Sequence, residues 1–184
     1  MYPLQNHYHE VIQKDLVLSE NVSNLSLLSA PKKVGLCLGG DSSAESYVIS
    51  SLGALNIVAG QKPFLTQQKS SDYTKVSSKE AVGGKLILRG SRMYFFLHKL
   101  IFKVLPFIRQ FEGLKPPLHE NIYCFVIKDM FAFEELVPLF PSFENLGSLQ
   151  CQFHFTTKDK AETVVLGQSL QLCFLLNSIE EKRK

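Results

Sequence analysis

The sequence predicts an α+β fold, and three observations carry that expectation. Stretches with helical apolar spacing mix with short strand-like runs, without a regular βαβ repeat. Glycine and proline stand at ordinary levels, 11 and 8 of 184 residues, which excludes collagen-like and low-complexity chains. The most apolar stretch, Met93–Phe107, is interrupted by His98, Lys99 and Lys103, so it falls short of the roughly 18 clean apolar residues of a membrane helix. Residues 1–176 are expected to form a single domain with a long basic loop at 68–82, followed by a charged tail at 177–184.

The elements follow in order. His7–Leu18 places Tyr8, Val11, Ile12 and Leu16 at helical spacing. Lys32–Leu38 is a short strand after Pro31. Ser42 and Glu45 have the spacing of a capping box, and Val48, Ile49, Leu52, Leu55 and Ala59 continue as one apolar stripe to Gly60, placed as a left-handed terminator. Phe64–Gln67 is a candidate strand. Residues 68–82 are rich in Ser and Lys and lack periodicity, which predicts a loop of a length that is usually functional or disordered. Lys85–Leu88 returns as a strand closed by Gly90. Ser91 can cap the next helix, which must stop before Pro106. At about 100° per residue, Met93, Leu97, Leu100, Ile101 and Val104 share one sector, and Arg92, Lys99 and Lys103 gather opposite as a cationic stripe. Ile122–Ile127 and Leu149–Phe155 are strands. Asp159 and Glu162 open a last helix running to about Leu176.

The net charge of +3 conceals a strong polarity. Residues 60–110 hold ten cations against Asp72 and Glu80, a net of +8, and the other 133 residues carry −5. Such a segment either meets a polyanion or forms a solvated basic face. Cys37, Cys124, Cys151 and Cys173 are too widely spaced for a zinc ribbon or a redox dithiol, and their apolar neighbours predict buried free thiols. Residues 1–18 lack a secretory pattern, and with two acids and no Arg they do not resemble a transit peptide.

Catalytic patterns are missing. There is no Gly-x-Ser-x-Gly elbow and no His-Glu-x-x-His. Gly35–Gly40 has the glycine spacing of a phosphate loop, but Asp41 follows where a lysine must reach the phosphates. His7 and His9 point apart on the predicted helix, which argues against a shared metal. No cofactor, metal or enzymatic activity is expected.

The informative window contains Gly-Gln-Lys-Pro-Phe-Leu-Thr at 60–66, Gly-Gly-Lys-Leu-Ile-Leu-Arg-Gly-Ser-Arg-Met at 83–93 and Leu-Pro-Phe-Ile-Arg-Gln-Phe-Glu-Gly-Leu at 105–114. Cations mixed with amide and hydroxyl donors suit phosphate and 2′-hydroxyl contacts. The three segments resemble the L-five family of large-ribosomal-subunit proteins in order and separation. The likeness extends to His-Tyr near the N-terminus and to Phe155–Lys158, and spans about residues 4–170. The opening Met-Tyr-Pro-Leu-Gln-Asn-His-Tyr is similar to mitochondrially encoded forms, which need no import leader.

The resemblance implies an antiparallel sheet of about five strands with helices on its convex face. It also implies a structural constituent of a mitochondrial large subunit. Such a protein binds 5S rRNA or neighbouring rRNA in the central protuberance, beside other proteins of that region. A basic loop faces P-site tRNA, and a bridge reaches a small-subunit head protein; no membrane is involved. By position, the rRNA-binding residues are Gln61, Lys62, Thr66, Lys85, Arg89 and Arg92, and the cations Lys99, Lys103 and Arg109 extend that set. Lys69, Lys75 and Lys79 belong to the tRNA-facing loop. The chain departs from the family pattern at Cys37 (for Asn), Ile87 (for Thr), Gln67 and Gln68 (for a more basic entrance) and over residues 115–127. The first two losses remove hydrogen-bonding partners worth roughly 1 kcal/mol each. A free-standing RNA-binding regulatory factor on the same fold is the alternative.

Overall fold

In the computed structural model, the residues described are 3–20, 24, 28–40, 45–67, 81–109 and 111–175. The expected capping residue Ser42, the greater part of the basic loop with Lys69, Lys75 and Lys79, and the tail lie outside them. The architecture is α+β: a five-stranded antiparallel sheet accompanied by helices, in the order β2-β3-β1-β5-β4. Its strands are β1 (Pro31–Gly39), β2 (Phe64–Gln67), β3 (Ala81–Leu88), β4 (Ile122–Ile127) and β5 (Leu149–Phe155). The chain divides into two compact units.

The first unit takes residues 1–34, 88–125 and 152–184. It opens with α1 (Pro3–His7), a π-helical turn (Tyr8–Ile12) and α2 (Gln13–Glu20). Leu4, Tyr8, Ile12 and Leu16 are all buried. Residues four apart drift forward on an α-helix of 3.6 residues per turn; the wider π turn, bonded i to i+5, sets the phase back and keeps the four on one side. Val11, expected in this stripe, is exposed. The Tyr8 hydroxyl donates to the Ser29 carbonyl (3.1 Å), and its ring lies 6.0 Å from that of Tyr94 on the next helix.

That helix comprises α4 (Gly90–Lys99), a second π turn (Leu100–Val104) and α5 (Leu105–Phe107). Met93, Leu97, Leu100, Ile101 and Val104 are buried, as the helical spacing requires. Ser91 does not cap the helix; its hydroxyl donates to the Gln5 side chain of α1 (3.2 Å). Gly90 takes a positive φ of 58° at the junction, a conformation that favours glycine.

α7 (Lys160–Ser169) ends well short of Leu176. Gln171 adopts φ 67°, and the Leu172 amide donates back to the Gly167 carbonyl (2.9 Å), a Schellman-type closure made without a glycine to signal it. The chain beyond is needed elsewhere. Leu114 donates to the Cys173 carbonyl (2.8 Å) and accepts from the Leu175 amide (2.9 Å), and the Phe174 ring fills the space that a side chain at Gly167 would occupy. At the other end Asp159 forms no side-chain cap, but Glu162 reaches back to the Lys158 amide (2.8 Å). Thr157 and Thr163 bond each other (2.7 Å), and both reach the Glu120 carbonyl.

The second unit takes residues 35–87 and 126–151. Its principal helix, α3 (Glu45–Ala59), buries Tyr47, Val48, Ser51, Ala54, Leu55, Val58 and Ala59. The apolar stripe is therefore rotated from the expected one, and Ile49 faces outward. Gly60 terminates α3 at φ 63°, its amide donating to the Asn56 carbonyl (2.9 Å). β3 starts at Ala81, four residues before the expected Lys85, which takes Ala81 and Val82 out of the loop. Two short 3₁₀ turns (Met130–Ala132 and Val137–Leu139) and α6 (Phe140–Phe143) complete the unit, with Phe133 and Leu136 fully buried.

Candidate nucleic-acid interface

In the second unit the site is built on the β2–β3 ribbon. Antiparallel pairing sets Phe64 opposite Lys85, Leu65 opposite Gly84 and Thr66 opposite Gly83, with an irregularity between Thr66 and Gln67. Directly paired residues share a face of the sheet, so Phe64, Thr66 and Lys85 stand together. Lys85 is exposed, Thr66 is half-buried and the Phe64 ring is 67% exposed.

The opposite face belongs to α3. A Cβ added at Gly84 would lie 2.9 Å from a Leu55 methyl and 3.0 Å from a Leu52 methyl. Gly83 is equally constrained, because a side chain there would strike the Leu38 carbonyl. The two adjacent glycines let the ribbon approach both neighbours, leaving Lys85 on the side that α3 does not cover. Gln61 is held where β3 ends: its amide nitrogen donates to the Ile87 carbonyl (3.2 Å). Its carbonyl oxygen remains an acceptor. Lys62 is exposed beside it. One ribbon thus presents ammonium groups, a hydroxyl and an open aromatic ring, a combination able to pair phosphates and stack a base. Phe64 was not among the expected contacts; the available signal was an aromatic alternating with Thr66 on a polar edge strand.

In the first unit, Arg89, Arg92, Lys103 and Arg109 are exposed. Lys99 is not: at 6% exposure it is buried, which corrects its place in the expected cationic stripe. A helical wheel reports direction from the axis, not what the surrounding chain covers.

Two of the expected buried thiols are also corrected. Cys151 is buried and Cys37 half-buried, whereas Cys124 and Cys173 are exposed. Burial raises the thiol pKa of Cys151, and partial burial of the thiol raises that of Cys124 as well, although the residue as a whole is exposed. Burial is also the main cause of the raised phenol values of Tyr8, Tyr94 and Tyr123, with Tyr8 adding to the shift of Tyr94 and Cys124 to that of Tyr123. These shifts come chiefly from desolvation, which holds the groups neutral, unlike the lowered value of an activated nucleophile. Among the described residues no three His, Cys, Asp or Glu side chains converge as a metal site, and no helix is long and apolar enough to cross a membrane.

Residues 81–174 match the C-terminus of the ribosomal L-five protein family. The chain is 30% identical over 177 residues to large ribosomal subunit protein uL5 of Mycoplasma pneumoniae, covering 94% of this chain and 97% of that one. It is 31% identical over 178 residues to large ribosomal subunit protein uL5m of Reclinomonas americana, again covering 94% and 97%. A uL5 from Thermotoga sp. is 33% identical over 141 residues, 74% of this chain and 77% of the relative.

Proposed function

The chain belongs to the ribosomal L-five family, and we propose that within the large ribosomal subunit it attaches to 5S rRNA or adjoining rRNA of the central protuberance. It is a structural protein of that subunit and not an enzyme. The β2–β3 ribbon carries the attachment. Lys85 and Lys62 pair backbone phosphates, and Thr66 and the free acceptor of Gln61 meet sugar hydroxyls or base edges. The observation supporting this is the register that stands Lys85 opposite exposed Phe64 on the face α3 leaves open. Arg89, Arg92, Lys103 and Arg109 add phosphate contacts from the first unit. Lys99 is assigned to packing and not to the phosphate contacts, because the residue is buried.

The finer assignments rest on the family resemblance. Lys69, Lys75 and Lys79 approach P-site tRNA, another surface forms the bridge to a small-subunit head protein, and the ribosome is mitochondrial. Support for the last comes from the opening residues and from the uL5m relative, beside a bacterial uL5 of nearly equal identity.

Gradient sedimentation of the native particles tests the reading. At moderate salt the protein should travel with the large subunit; a protein that stays in the free fraction is instead a free-standing RNA-binding factor. With the isolated chain, log affinity for rRNA should fall with log salt at a slope of roughly −3.5 to −4.5 if about five phosphates are neutralised. A flat dependence removes the basic window from the mechanism. Neutralising Lys69, Lys75 and Lys79 together should weaken tRNA engagement while subunit incorporation persists. Loss of incorporation would reassign the loop to assembly.

A further inference from the structure

Phe64 is the most exposed phenylalanine among the described residues, at 67%. It stands on β2, an outermost strand of the sheet, a position that natural proteins ordinarily guard with charge or cover. Its neighbours are fixed by the register. Phe64 pairs with Lys85 and Thr66 with Gly83, and directly opposed side chains rise from one face with Cβ atoms about 4.5–5.5 Å apart. Gly83 adds no side chain beside the ring, and Leu65 turns to the other face with Gly84. An open ring and an exposed ammonium group therefore stand one strand apart on the same side.

The charge of the ribbon and the shape of the ring select the occupant. Residues 60–67 and 81–87 contain Lys62 and Lys85 and no Asp or Glu, and both lysines are exposed. That charge suits a polyanion. A regular A-form duplex offers the ring little, because its bases are stacked on one another and show only their edges in the grooves; a nucleotide out of the stack offers the face of its base. In such a nucleotide the phosphate lies one sugar away from the base, as Lys85 lies one strand away from Phe64. Thr66, two residues along the same face, supplies a hydroxyl for the neighbouring ribose.

We propose that the β2–β3 ribbon recognises a single unpaired nucleotide extruded from an RNA helix, with its base stacked on Phe64 and its phosphate on Lys85. This rests on the RNA-attachment reading above and adds the kind of RNA structure that the ribbon selects. Phe64 is the one aromatic residue in 60–67 and 81–88, so the ribbon takes one base and reads an interruption in a duplex, not a long single strand.

The full chain is titrated by fluorescence anisotropy with three labelled RNA duplexes of one sequence: one continuous, one with a central bulged adenosine, and one with an abasic nucleotide in place of that adenosine. The last two carry the same phosphates, so they differ by the base alone. Wild-type protein should bind the bulged adenosine about fivefold or more tightly than the abasic bulge, fivefold being the low end of base–aromatic stacking. Phe64→Leu keeps an apolar strand residue and should bind the two bulged probes equally, whereas Phe64→Tyr should retain the preference. Lys85→Gln should weaken binding to all three probes and make the salt slope shallower by about 0.7 to 0.9. Thermal midpoints show that the variants are folded, and the wild-type comparison needs no variant. Equal wild-type binding of the adenosine and abasic bulges overturns the stacking contact while salt-dependent attachment survives. A Phe64→Leu loss as large on the abasic bulge also overturns it. So does a wild-type dimer in sedimentation that Phe64→Leu dissolves, which would give the ring to a second copy at the β2 edge. Salt-independent binding of all three probes takes down the attachment reading together with the proposal.

Discussion

Lys99 and Lys103 lie four residues apart on one continuous helix, and replacing each by alanine separates a buried cation from an exposed one. Lys99 is 6% exposed, so its stem is packed. Truncation removes about three buried methylenes at about 0.8 kcal/mol each, or about 2.4 kcal/mol. For a chain of this size that lowers Tm by about 5–10 °C. The salt slope of rRNA binding should not change, because no phosphate contact is lost. Lys103 is exposed; its truncation should leave Tm nearly constant and make the slope shallower by about 0.7 to 0.9, the share of one phosphate. Thermal unfolding and anisotropy titrations at several salt concentrations read both effects in one pair of variants. The reverse pattern, with Lys99→Ala flattening the slope and Lys103→Ala lowering Tm, would refute the assignment of the two cations from burial.

Other expectations concern the scaffold. Gly84→Ala drives a methyl into Leu52 and Leu55 of α3 and should cost about 1–3 kcal/mol in urea unfolding; an unchanged midpoint would mean that α3 does not press on the ribbon there. Thr163→Val keeps the shape of a fully buried side chain but removes a hydroxyl that meets Thr157 and the Glu120 carbonyl. A loss of about 1 kcal/mol is expected, and no loss would show that Thr157 alone satisfies the carbonyl. Burial raises the pKa of Tyr8, Tyr94, Tyr123 and Cys151, so the folded state keeps these protons to higher pH than the unfolded state does. Stability should therefore be fully retained below the ordinary thiol and phenol values, 9.0 and 10.0, and decline as pH rises past them. A Tm that stays level between about pH 8 and pH 10.5 would contradict the burial of these groups.

The sequence alone determined the α+β class, the strands Phe64–Gln67, Ile122–Ile127 and Leu149–Phe155, the end of α3 at Gly60 and the family. These depend on information local in the chain: alternation, a left-handed glycine, and motifs whose spacing survives divergence. The apolar sector of α4 was legible for the same reason, because a period of 3.6 residues is written in the residues themselves. Tertiary structure decided what depends on a neighbour. α7 stops at Ser169 because Leu114 pairs with the chain around Phe174, a contact made across some sixty residues and signalled by no glycine. Lys99 is buried and Phe95, Phe102 and Phe107 are exposed, although hydrophobicity ranks them the other way. Burial is a property of what surrounds a side chain, not of the side chain itself. So the basic character of residues 60–110 was plain from composition, while which of its cations and rings stand exposed came only from the folded chain.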